Sequence, residues 1–143
     1  MDNIELKSIL KKEEECANIS GWDFSHIEGK YVQFDQELPW KYEETVKSYL
    51  KDNLKLLDID TGGGELLLTF HHPYSMTSAT ESYPPSVKLC EEKLVPLGID
   101  FHEASNYSSL PFEDETFDIV LNRHGSFDPV EIKRILKKGG IFI

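Results

Sequence analysis

Cysteine is scarce in this chain of 143 residues: there are only two, Cys16 and Cys90. They form no Cys-x-x-Cys or zinc-finger spacing, so neither a disulfide framework nor a structural zinc site underlies the fold. Both read as packing residues with reduced thiols. Long hydrophobic runs are also missing, and none approaches the ~20 residues that span a bilayer. Met1-Asp2-Asn3-Ile4-Glu5 lacks the basic-then-apolar layout of a secretory signal. The expectation is a cytoplasmic protein with no membrane partner. Positive charge is the third shortage, with 15 Lys and Arg against 26 Asp and Glu and a net charge of −11. Nucleic-acid binding draws on Lys and Arg to neutralise phosphates, so such a partner is disfavoured. The densest basic clusters are only the pairs Lys11-Lys12 and Lys137-Lys138. Repeats and low-complexity segments are absent too.

What is present has the balance of a globular domain: 39% hydrophobic and 29% charged residues, at a length that suits one core. The chain is organised around Leu54-Lys55-Leu56-Leu57-Asp58-Ile59-Asp60-Thr61-Gly62-Gly63-Gly64-Glu65. An apolar run ends in acidic residues, breaks into three glycines and resumes as a helix-compatible segment. This predicts a buried parallel strand, a glycine turn and a helix start. The glycines permit close backbone approach, and a helix start offers unpaired N–H groups to a ligand. In open α/β sheets such a turn lies at the carboxyl end of a strand, where ligands bind. A dinucleotide Gly-x-Gly-x-x-Gly fingerprint fits poorly, because starting it at Asp60 or at Gly62 puts Glu65 or Leu67 at the third glycine.

The rest of the chain alternates. Residues 4–16 read as a helix with Ile4, Leu6, Ile9 and Leu10 apolar. Gly21-Trp22-Asp23-Phe24 and the residues to Gly29 form a turn-rich aromatic arm, which either pins the N-terminus to the domain or forms a lid or floor over the site. Pro39-Trp40 opens a helix with Tyr42, Val46, Tyr49 and Leu50 on one face. His71-His72 closes the helix after the glycines. Residues 75–81 are a second strand ending at Glu81, and Pro84-Pro85 begins a helix with Val87, Cys90 and Leu94 aligned. Residues 98–104 and 117–121 are strands three and four. Asp128-Pro129-Val130-Glu131 reads as a capping box. Its helix runs through Ile132, Ile135 and Leu136 to Lys137-Lys138 and stops at Gly139-Gly140, with a fifth strand from Ile141. This order predicts an α/β, doubly wound, mainly parallel Rossmann-like sheet over residues 40–143, preceded by an arm over residues 1–39.

The glycine segment resembles motif I of class I S-adenosylmethionine-dependent methyltransferases, an acidic residue followed by x-Gly-x-Gly-x-Gly. Asp58, Gly62 and Gly64 match, and Asp60 stands at the first glycine, where its tolerance of a left-handed backbone preserves the turn. Leu110-Pro111-Phe112-Glu113-Asp114 through Phe117-Asp118-Ile119-Val120 is similar to that family's LPF-x-D-x-x-FD-x-V segment. Arg134-Ile135-Leu136-Lys137-Lys138-Gly139-Gly140 is similar to its R-x-LKPGG, with Lys138 for proline. The resemblance covers residues 40–143 and implies an enzyme that transfers methyl from S-adenosylmethionine to a small-molecule acceptor. Members of the family continue through strands six and seven, so the resemblance implies a sheet incomplete at its C-terminal edge, with a homo-oligomer as one way of covering it.

It also implies site roles. Asp58, Asp60, Thr61, Gly62, Gly63 and Gly64 would lie at the methionine part of the cofactor and Glu81 at the ribose. Ser82, Tyr83, Asn106 and Tyr107 would lie at the adenine, with Asn122 nearby. His124 is a candidate general base and Arg123 a candidate for an anionic acceptor, or both are ordinary polar loop residues. A metal site is not expected. The competing reading is a catalytically inactive cofactor-binding or structural remnant.

Overall fold

The computed structural model describes residues 2–16, 21, 25–29 and 39–143. Its elements are α1 (Asn3–Cys16), α2 (Tyr42–Tyr49), β1 (Leu56–Asp58), α3 (Glu65–Thr69), β2 (Thr77–Glu81), α4 (Pro84–Lys93), β3 (Asp100–Glu103), β4 (Phe117–Leu121), α5 (Pro129–Ile135) and β5 (Leu136–Phe142). Single 3₁₀ turns occupy Ser25–Ile27, Tyr74–Met76 and Val95–Leu97. All strand pairs are parallel, in the order β3-β2-β1-β4-β5. β1 therefore has β2 on one side and β4 on the other, and the winding reverses at its carboxyl end.

Strand alternation divides the core in two. Leu56, Ala79, Ile119 and Leu121 pack with Val46 of α2, Leu67 of α3 and Cys90 of α4. Leu57, Phe117 and Val120 pack with Ile132 and Ile135 of α5. Helices thus cover both faces, which is why the strands read as continuous apolar runs. Leu56, Leu57, Val120 and Leu121 are each 0% exposed, and burying one such side chain contributes about 1.5–3 kcal/mol. The β5 edge is open, as expected: among the described residues no strand pairs with its outer side.

Several boundaries move. α2 begins at Tyr42 after an extended Lys41, and Pro39-Trp40 form a bend before it. Residues 74–76 are wound into a turn by bonds from the Met76 N–H and the Thr77 hydroxyl to the Pro73 carbonyl, both 2.9 Å. Gly98, with φ +89°, delays β3 until Asp100. Residues 137–140, read as a helix end and its stop, belong to β5 instead. The β4–β5 register steps from Phe117↔Leu136 to Ile119↔Ile141, so Lys137 to Gly140 form a bulge. Gly139 has φ +81°, and a Cβ on Gly140 would come within 2.9 Å of the Lys137 carbonyl. The glycines serve a strand irregularity rather than a helix cap.

The capping box is only half made. Asp128 caps α5 by accepting from the Val130 N–H at 2.9 Å. Glu131, however, turns away from the helix start: its carboxylate accepts from the Leu110 N–H at 2.6 Å and from Arg134 Nε and Nη2 at 2.8 and 2.6 Å. Arg134 also reaches Asp114 at 2.8 Å. Cys16 is exposed, and α1 buries none of its residues, so the packing role assigned to that cysteine fails. Cys90 is buried as expected.

The Arg134 guanidinium beside Glu131 holds that carboxyl below the ordinary range. Truncating it leaves the Leu110 amide without its acceptor and removes two of the Arg134 hydrogen bonds, those of Nε and Nη2 to this carboxylate. Glu131→Ala is expected to lower the unfolding free energy by about 3 kcal/mol, read from urea unfolding at pH 7. A loss below about 0.5 kcal/mol, the scale of ordinary surface substitutions, would show that the pair carries no structural weight.

Candidate functional site

At the carboxyl end of β1 the backbone splits its allegiance. The Ile59 N–H donates to the Leu121 carbonyl of β4 at 2.9 Å, and the Thr61 N–H donates to the Thr80 carbonyl of β2 at 3.0 Å. The chain between them must turn sharply. Asp60 does so with φ +52°, the left-handed conformation expected for it, followed by Gly62 at +69° and Gly64 at +77°.

The glycine amides ahead of the helix start, expected to be free for a ligand, are not. α3 is five residues long, and the glycine amides are already engaged: Gly62 with Glu81 Oε2 at 2.7 Å, Gly63 with Glu65 Oε2 at 2.9 Å, and Gly64 with the Thr61 carbonyl at 3.2 Å. The Cys90 thiol donates to the Gly62 carbonyl at 3.0 Å. Burial and the charges of Glu81, Glu65 and Asp58 push that thiol up to about 12, so it is a prop beneath the turn rather than a nucleophile.

A cavity of 210 Å³ opens over the turn. Asp60 and Gly62 come to it from the turn, Glu81, Ser82 and Tyr83 from the end of β2, Ser86 from α4, and His124 and Gly125 from the loop after β4. Gly21 of the arm completes the lining, with its N–H 3.2 Å from the Ser86 hydroxyl oxygen. The arm therefore contributes to the site wall, while Trp22 and Phe24 lie outside the described residues.

Glu81 is 5% exposed. Its Oε2 takes the Gly62 N–H and its Oε1 takes the Ser82 and Tyr83 N–H groups at 2.8 and 3.0 Å. Three donors on a carboxylate with about four lone-pair sites leave room for one more. Asp60 Oδ2 accepts from the Tyr107 hydroxyl at 2.6 Å, and that hydroxyl lies 3.3 Å from Ser82 Oγ. Asp60 Oδ1 is buried without a hydrogen-bond partner among the described residues. Gly125 lets this carboxylate in, since a Cβ there would come within 2.4 Å of Asp60 Oδ2.

Asp58 accepts from the Thr61 hydroxyl at 2.6 Å. Burial, with smaller contributions from the Asp60 and Glu81 charges, pushes its carboxyl up to about 7 against the Thr61 bond. Asn106 is exposed, and its Oδ1 accepts from the Ser108 N–H at 3.2 Å, so it lies outside the cavity wall. Asn122 shapes the loop after β4 by accepting from the Gly125 N–H at 2.7 Å. Arg123 stands 5.8 Å from the centroid of the Tyr42 ring, away from the lining.

Gly21, Ser86, Gly125 and Tyr42 were not singled out in the sequence as site residues. The Tyr42 hydroxyl is buried without a hydrogen-bond partner among the described residues. Burial first, then the charge of Asp58, pushes it up to about 12. The glycines in Ser20-Gly21 and His124-Gly125 were the only available signal. No group of three or more His, Cys, Asp or Glu among the described residues is arranged to hold a metal. No described helix is long and apolar enough to cross a membrane. A larger groove of 460 Å³ beside α5 and β5, walled by Phe127, Ile132 and Phe142, shares none of these residues.

A glycine turn at the reversal of a parallel sheet, with an acidic residue ending the next strand, is the architecture of a nucleotide-type site. The methyltransferase domain model matches residues 57–143, more than half of the chain, and the chain belongs to that family. It is 38% identical over 88 residues to the "Probable phthiotriol/phenolphthiotriol dimycocerosates methyltransferase 2" of Mycobacterium ulcerans, covering 57% of this chain and 34% of that protein. It is 31% identical over 122 residues to sterol 4-C-methyltransferase strm-1 of Caenorhabditis elegans, covering 72% and 36%. The chain thus spans about a third of the length of these curated relatives. Among solved structures it resembles the YcgJ protein of Bacillus subtilis, with TM-score 0.58 at 24% identity over 70% of this chain and 47% of that one. It also resembles the [4+2]-cyclase SpnF, with TM-score 0.52 at 23% identity over 70% and 42%. These structural likenesses show the fold alone; a cyclase among them illustrates that fold does not dictate chemistry.

The Asp58 carboxyl gives a pH test. Its folded value of about 7 lies above the ordinary ~3.9, so the folded state holds more protons between those limits and stability falls as pH rises through them. Asp58→Asn keeps an acceptor for Thr61 and removes the titration. Its stability relative to the natural chain should rise from pH 4 to pH 8 by at least about 1.4 kcal/mol, the worth of one unit, read as urea midpoints. A difference independent of pH would place the carboxyl at its ordinary value.

Proposed function

We propose that the chain is the cofactor-binding part of an enzyme that transfers a methyl group from S-adenosylmethionine to a small-molecule acceptor. The observation that carries this reading is Glu81: a buried carboxylate ends β2, faces the glycine turn across the cavity and keeps one acceptor position open. The residues fit a ligand with ribose hydroxyls, an aromatic base and an amino-acid end. Glu81 would accept from the ribose, Tyr83 and Tyr107 would flank the base, and the glycine turn with Asp58 and Thr61 would hold the amino-acid end. Bound there, the cofactor supplies an electrophilic methyl group.

The chain's own contribution is placement. Methyl transfer requires a nucleophile held in line and close, and such positioning accounts for a large part of a rate. His124 lines the cavity and is the candidate general base. Arg123, fixed over Tyr42, is the candidate contact for an anionic acceptor. The net charge of −11 supports a small acceptor over a nucleic acid. The relatives named for sterol and phthiotriol dimycocerosates substrates support an apolar one.

Calorimetric titration with S-adenosylhomocysteine tests the cofactor. The expected affinity is micromolar, about −8 kcal/mol, weakened more than tenfold by Glu81→Gln, which removes charge and one acceptor while preserving side-chain size. No binding to protein whose circular dichroism shows it folded would overturn the reading in favour of an inactive remnant. The engaged amides of Gly62, Gly63 and Gly64 are the observation that favours that second reading.

A further inference from the structure

The cavity over the glycine turn is lined by two carboxylates, Asp60 and Glu81, and by no lysine or arginine among the described residues. The two are compensated very differently. Glu81 receives three backbone N–H groups, whose dipoles offset its charge. Asp60 receives one strong donor, the Tyr107 hydroxyl at 2.6 Å, with smaller support from the Ser126 backbone and the Ser82 hydroxyl, and its Oδ1 is buried without a hydrogen-bond partner among the described residues. Asp60 is therefore the least compensated acidic group at the cavity wall. It is held there by its own left-handed backbone and by the bare face of Gly125.

We propose that the Asp60 carboxylate makes this site selective for charge at the ligand's sulfur, favouring the cationic sulfonium of the methyl donor over the neutral thioether left after transfer. The inference rests on the donor reading above and deepens it. When the methyl group leaves, the carbon–sulfur electron pair stays on sulfur, so the fresh molecule is cationic there and the spent one is not. A carboxylate near that atom favours the first and gives nothing to the second. Burial, aided by the charge of Glu81, raises the Asp60 carboxyl above its ordinary value, and a cation placed beside it lowers it again. A site built this way discharges its spent cofactor readily.

Two ligands and three proteins test this by calorimetry. One ligand is sinefungin, an analogue with an amine-bearing carbon in place of the methylated sulfur; the other is S-adenosylhomocysteine. The full chain is expected to bind sinefungin at least tenfold more tightly, equivalent to about 1.4 kcal/mol. Asp60→Asn keeps both the tolerance of a left-handed backbone and an acceptor for Tyr107. It should bring the two affinities within threefold of each other, chiefly by weakening sinefungin. Asp60→Gly should do the same and serves if the asparagine variant does not fold. Equal binding of both compounds to the natural chain, or a preference unchanged by either substitution, overturns the charge selectivity while leaving the donor reading intact. Binding of neither compound to any of the three folded proteins overturns the donor reading and the selectivity with it.

Discussion

The site depends on one buried carboxylate. Glu81 joins the end of β2 to the glycine turn after β1 through the Gly62 amide, and it sets its own following residues through the Ser82 and Tyr83 amides. Without it, three backbone donors at the head of the sheet would lack partners, each costing about 1–3 kcal/mol where buried. The same group that organises the turn is the one offered to a ribose. Structure and recognition therefore draw on a single side chain, and a ligand entering the site competes with the protein's own backbone for it.

The two sequence segments after β3 and after β4 are tied in a comparable way. Asp114 and Arg134 form an ion pair at 2.8 Å, and Arg134 is also held by Glu131 and the Leu110 carbonyl. Leu110 packs in the core, while Phe112 meets Phe117 edge-on at 4.9 Å. Asp118 receives the Lys55 N–H and Lys137 Nζ, each at 2.8 Å, and joins the approach to β1 to the start of β5. These residues brace the sheet on the side opposite the glycine turn's partners. None of them lines the cavity.

Much of this was legible in the sequence because it is periodic or glycine-marked. The order of strands and helices from residue 40, the turn at Gly62 to Gly64, and the left-handed Asp60 all follow from local pattern. What was not legible depends on distant partners. The role of Glu131 was misread because a capping box and a buried ion pair share the same local sequence, and only Leu110, far along the chain, decides between them. Lys137 to Gly140 fit a helix end equally well until pairing with β4 makes them a bulge. Gly21 and Gly125 reach the cavity through tertiary folding that no spacing announces. The bond from Tyr107 to Asp60 joins residues whose contact no local rule predicts.

The contact between Asp60 and Gly125 has a consequence for how such a chain can drift. A left-handed backbone at position 60 admits glycine, asparagine or aspartate and resists most others. A side chain there occupies the space that a Cβ at position 125 would need. The two positions are therefore bound by exclusion: a lineage that keeps a side chain at 60 must keep glycine at 125. Only after 60 reverts to glycine does this steric constraint on 125 lift. The order of substitution along a lineage is thus written into the geometry of one turn.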